Sequence, residues 1–78
     1  MNHMSEPKLR AGWNFQTIEN IKRRNNIQSV RGLARSINFS PDTLRWQLNQ
    51  DRPSIEAATA ISFAFNVGYD ALLQKVPQ

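Results

Sequence analysis

The stretch SVRGLARSINFSPDTLRWQLN, residues 29–49, decides the fold. Val30, Leu33, Ala34 and Ile37 recur at i, i+3, i+4 and i+7, the spacing of one buried helical face. Ser29 stands at the N-cap position, so the spacing predicts a short helix over about 30–36. Asn38 follows; after glycine, asparagine best tolerates a left-handed backbone. Ser40-Pro41 then reads as an N-cap with proline at the first helical position, opening a helix over about 41–49. That second helix gives only Leu44 and Leu48, one turn apart, to a core. Asp42, Thr43, Arg45, Trp46, Gln47 and Asn49 are left to face something else. Two short helices crossing near a right angle need a small side chain at the contact, and Ala34 supplies it. The pattern is the physical design of a helix-turn-helix.

Outward from this unit, the same period continues. Asn14 is a candidate N-cap for a helix over about 14–25, with Phe15, Ile18 and Ile21 on one face. Trp13, just before the cap, fits a staple against the core better than a binding role. Lys22, Arg23 and Arg24 fall in the last turn, where cations suit the helix dipole; they serve as structural charges, phosphate contacts or both. Asn25-Asn26 reads as a turn. Asn49 to Pro53 reads as a polar loop, and Ser54 caps a helix over about 55–65 whose inner stripe is Ile55, Ala58, Ile61 and Phe65. Asn66-Val67-Gly68 ends it, and a last short helix with Leu72 and Leu73 is expected over 69–75. No segment alternates with period two for long enough to indicate a strand. The expected fold is therefore all-α, with five short helices.

Two regions are expected: a flexible amino-terminal arm over residues 1–12, holding Pro7, Gly12 and little apolar content, and the helical domain over 13–76. His3-Met4 resembles a cloning remnant, with Met4 as the natural start. The first ten residues lack the apolar stretch of a secretory signal. At 78 residues the chain has room for one small core and for no large substrate cleft. Its 40% hydrophobic and 21% charged residues are a globular rather than a disordered balance. It has no cysteine, which excludes a disulfide framework and any thiolate metal site and agrees with a cytoplasmic setting. The longest apolar run is far below the roughly 20 residues of a membrane span.

The net charge of +4 is unevenly placed. Residues 22–52 hold Lys22, Arg23, Arg24, Arg31, Arg35, Arg45 and Arg52 against Asp42 and Asp51, a net of +5. The segments on either side are near neutral. A basic middle third favours a polyanionic partner, although charge alone is equally consistent with a solvated basic surface.

The run VRGLARSINFSPDTLRWQLN resembles the helix-turn-helix of the lambda-repressor/Cro-like superfamily, in Leu33-Ala34, the turn at Asn38, Ser40 and Leu44. The likeness extends through Pro53-Ser54-Ile55-Glu56, Ile61, Ala64-Phe65-Asn66-Val67 and Leu72. Trp13, Ser29 and SPDTLRWQL also resemble the Ner-like regulators of transposable phages. The chain departs from the family pattern in Asn38 where glycine is commoner, in Pro41 where a base-reading polar group is frequent, and in Trp46 where a small or polar residue is usual.

The resemblance implies a transcriptional regulator of double-stranded DNA, of the phage or prophage repressor type, acting in the bacterial cytoplasm or nucleoid. It places helix 41–49 in the major groove, with Asp42, Thr43, Arg45, Trp46 and Gln47 as base readers. Arg45 is the first candidate for guanine, and Thr43 and Trp46 for thymine methyls. Asp42 either accepts from cytosine or caps the helix start. Gln28, Ser29, Arg31, Arg35, Ser40, Gln50 and Arg52 are the candidates for the DNA backbone. Lys8 and Arg10 belong to the arm, which either touches the DNA backbone or minor groove or, as is commoner for such arms, stays idle. Trp46 has a second reading, packing on the Arg52 stem or on a partner subunit. Phe63 either lies exposed, marking a homodimer surface with Tyr69 and Leu73, or packs under Trp13.

A competing function is a protein-interaction module of the same fold, antitoxin-like or coactivator-like, which Trp46 and Pro41 on the reading helix motivate. An enzyme is not expected. The one histidine lies in the arm, no glycine-rich phosphate loop is present, and the six carboxylates are scattered. Neither cofactor, metal nor small-molecule substrate has an evident seat.

Overall fold

The computed structural model describes residues 8–77, so the expectations for His3, Met4 and the rest of 1–7 lie outside the described residues. Five helices and two strands follow in the order β1 (Leu9–Trp13), α1 (Phe15–Arg24), α2 (Val30–Ser36), α3 (Pro41–Leu48), α4 (Ile55–Phe65), α5 (Tyr69–Leu72) and β2 (Leu73–Pro77).

The helices start where the sequence supplies caps. The Asn14, Ser29 and Ser54 side chains accept hydrogen bonds from the backbone N–H groups of Thr17, Gly32 and Ala57. Each bond satisfies one of the donors a helix leaves open at its start. Asn26, Asn38 and Asn66 take positive φ angles of 61°, 63° and 55°. All three lie where the chain must turn away from a finished helix, in the left-handed region that asparagine tolerates.

The core is built from one face of each helix. Ile18 and Ile21 of α1, Leu33 and Ala34 of α2, Leu44 and Leu48 of α3, Ala57, Ala58 and Ile61 of α4 and Leu72 of α5 are buried, with Trp13 and Ile37. Ala34 of α2 and Leu44 of α3 are both fully buried in this core, and the two helices pack against each other.

The all-α expectation is overturned. Leu9–Trp13 and Leu73–Pro77 form a two-stranded antiparallel sheet, with Leu9 opposite Pro77 and Trp13 opposite Leu73, so the fold is α+β. Residues 9–12, expected in the arm, are strand, and the last helix stops at Leu72 rather than reaching 75. Gly12 makes the pairing possible. A Cβ there would sit 2.9 Å from Val76 Cγ2, so only glycine leaves room for the valine on the neighbouring strand.

Two apolar placements also differ. Ile55 is 82% exposed rather than part of the inner stripe, which Ala57 fills instead. Phe15, at the first position of α1, is exposed as well. At about 100° per residue Ile55 points away from the buried Ala57, Ala58 and Ile61, and Phe15 stands at the edge of the face that Ile18 and Ile21 bury.

Candidate nucleic-acid interface

Helix α3 is held to the molecule by Leu44 and Leu48 on its inner side. Its other side carries Asp42, Thr43, Arg45 and Trp46, all exposed, with Trp46 at 62%. The helical rotation of about 100° per residue accounts for this division: positions 44 and 48 fall on one side, 42, 45 and 46 away from it. Arg45 Nη1 donates to Asp42 Oδ1 at 3.2 Å, one turn apart. Asp42 also stands in the first turn, where an acid suits the dipole. Ser40 occupies the N-cap position but its hydroxyl makes no capping bond. Asp42 therefore supplies the charge at this helix start, while Ser40 keeps its hydroxyl free for another acceptor.

Gln47 differs from its neighbours. It is half-buried, and its Oε1 is buried with no hydrogen-bond partner among the described residues. Its backbone carbonyl accepts the Trp13 indole N–H at 3.3 Å. Trp13 is thus a core residue that also ties β1 to the end of α3. Gln50 Nε2 donates to the Trp46 carbonyl at 3.1 Å, closing the same helix end. Trp46, Gln47, Asn49, Gln50, Arg52 and Ser54 border one open depression beside α3, so Trp46 and Arg52 share a surface.

The backbone candidates of α2 stand next to this face. Gln28 and Ser29 are exposed at its start, with the Ser29 hydroxyl engaged in capping. Arg31 and Arg35 are exposed along it, and Arg52 follows α3. Lys22 pairs with Glu19 at 3.2 Å and Arg23 bonds the Asn20 side chain at 3.2 Å. Lys22, Arg23, Asn26 and Gln28 border a second depression between α1 and α2. Arg24 is exposed.

One residue was missed. Arg10, assigned to the arm, donates from Nη1 to the Asp51 carbonyl, fastening β1 to the loop that follows α3. Its only sequence signal was the alternation Leu9-Arg10-Ala11-Gly12-Trp13, too short to read as a strand. Phe63 is 83% exposed, so it does not pack under Trp13. Among the described residues no group of three or more His, Cys, Asp or Glu side chains is placed to hold a metal ion. No helix among them is long and apolar enough to cross a membrane.

The fold matches the crystal structure of the transcriptional regulator VanUg, with a TM-score of 0.66 over 100% of this chain and 99% of that one. The two chains share one fold. Sequence identity to VanUg is 15%, so the likeness concerns architecture alone. No protein-family model and no curated protein matches the sequence.

Proposed function

We propose that the chain is a sequence-specific regulator of double-stranded DNA, a repressor of the phage or prophage type working in the bacterial cytoplasm. The observation that carries this reading is the outward face of α3. A helix with two buried leucines and an arginine, a threonine and a tryptophan in the open is dimensioned for a major groove. Arg45 reads guanine through its two parallel donors, with Asp42 steadying the guanidinium at 3.2 Å. Thr43 and Trp46 meet thymine methyls, while Gln47, whose side-chain oxygen is buried, drops out of the reading face. Gln28, Ser29, Arg31, Arg35, Ser40, Gln50 and Arg52 hold the phosphates on either side. The fold shared with VanUg and the concentration of positive charge in residues 22–52 both agree with this reading. Two copies bind together, each reading half of a symmetric site.

Selection from random-sequence DNA tests it. The expected result is a palindromic consensus whose binding weakens steeply with salt. Recovery of no consensus, with binding no tighter than to unrelated DNA, overturns the reading. Capture of a protein partner that depends on Trp46 would then favour the interaction-module alternative.

A further inference from the structure

Among the described residues, the most exposed large apolar side chains are not on α3. They are Ile55 and Phe63 of α4, at 82% and 83% exposure. Thr59 stands midway between them, and at 3.6 residues per turn the three fall within about 80° of one another. Tyr69 lies alongside, its hydroxyl 2.6 Å from Thr59 Oγ1, and is itself exposed. One face of α4 thus carries an unbroken stripe, Ile55–Thr59–Phe63, widened by the Tyr69 ring.

We infer that this stripe is a self-docking surface, and that its occupant is the α4 stripe of a second copy of the chain. Three observations select that occupant. The spacing is self-complementary: an antiparallel crossing about a two-fold axis at Thr59 sets Ile55 against the partner's Phe63 and Phe63 against the partner's Ile55. A row of positions four apart is also the ridge that interlocks with its own copy in helix packing. Charge points the same way. The excess lies in residues 22–52, whereas α4 carries only Glu56, so two copies meet here without opposing their basic faces. Area sets the strength. Three side chains of this size expose on the order of 400 Å² per copy, about half of the roughly 800 Å² a standard interface takes from each side. Free chains therefore pair weakly, and pairing becomes complete when two copies sit side by side on one DNA, where their effective concentration reaches about millimolar.

Sedimentation equilibrium of the whole chain without DNA tests this independently of any DNA reading. The expected result is monomer at low micromolar concentration and reversible dimer approaching millimolar. Phe63→Glu and, separately, Ile55→Glu each weaken association at least tenfold while leaving the circular dichroism spectrum and melting temperature unchanged, since neither side chain is in the core. On DNA with two half-sites, the wild type binds cooperatively and Phe63→Glu binds each half independently, with affinity for a single half-site unaltered. A wild type that stays monomeric to millimolar concentration overturns the inference, as does association that both variants leave intact. A dimer that Phe63→Glu dissolves, in a chain that reads no DNA, upholds the inference and overturns the proposed function.

Discussion

Asn38 and Arg45 show how one residue type at one position sets the chemistry. Asn38 turns the chain between α2 and α3 at φ 63°. A residue with a Cβ and no polar side chain costs about 1–2 kcal/mol there, while glycine adopts the angle freely. Asn38→Ala is expected to lower the melting temperature by about 4–8 °C or more for a chain of this length, and Asn38→Gly to leave it unchanged or raise it; thermal unfolding followed by circular dichroism distinguishes the two. Arg45 is exposed and its guanidinium bonds the equally exposed Asp42, so its removal leaves the fold intact. Arg45→Ala is expected to reduce affinity for the selected DNA by about 1–3 kcal/mol, with the loss confined to one base pair of the consensus. Fluorescence anisotropy against single-substituted sites measures it; an equal loss on every sequence would place Arg45 on a phosphate instead. Both residues were legible from the chain alone. A left-handed position and an outward helical position are local properties, set within a few residues.

At the scale of elements, α3 depends on two side chains and the strand pair on a missing one. Leu44 is fully buried, and Leu44→Ala is expected to destabilise by about 2–5 kcal/mol. That is a large part of the roughly 5–15 kcal/mol that hold a typical domain together. DNA affinity should fall with it, because the face carrying Arg45 loses its support. In the strand pair, Gly12→Ala brings a Cβ to within 3.0 Å of both Val76 methyl carbons. Valine is stiff at χ1 and cannot swing aside, so the expected cost is about 1–3 kcal/mol. Val76→Ala in the same chain should recover most of it, a non-additivity that denaturant titrations of the two single variants and the double variant reveal. The helices were legible as elements because caps and the 3.6-residue period are written into each segment. The strand pair was not. Its strands are five residues each, and neither has a face long enough to show alternation.

For the whole molecule, the proposed phosphate contacts make binding a function of salt. Arg31, Arg35 and Arg52 supply three cations per copy, so the logarithm of affinity should fall against the logarithm of salt with a slope near −3 for one copy and near −5 for two. Each Arg→Ala change at these positions is expected to reduce the slope by about 1 for one copy and about 2 for two, and to weaken binding alike on all sequences. Titration at four or five salt concentrations checks both numbers. The molecule also joins its two ends. Gln74 Nε2 donates to the Trp13 carbonyl at 3.2 Å, and Asn14 N–H to the Leu72 carbonyl at 2.8 Å. Through Trp13 and Arg10 this paired end grips the close of α3 and the loop after it.

The sequence by itself determined where five helices stand, the caps at Asn14, Ser29 and Ser54, the turn at Asn38 and the two leucines that hold α3, since each follows from interactions between residues a few positions apart. Only the tertiary structure decided that Leu9–Trp13 pairs with Leu73–Pro77, that Arg10 is fastened to Asp51, that Gln47 turns inward and that Ile55 joins Phe63 on an open face. A strand gains its hydrogen bonds from a neighbour some sixty residues away, and a side chain is buried only if another element arrives to cover it. Neither fact is contained in the segment concerned.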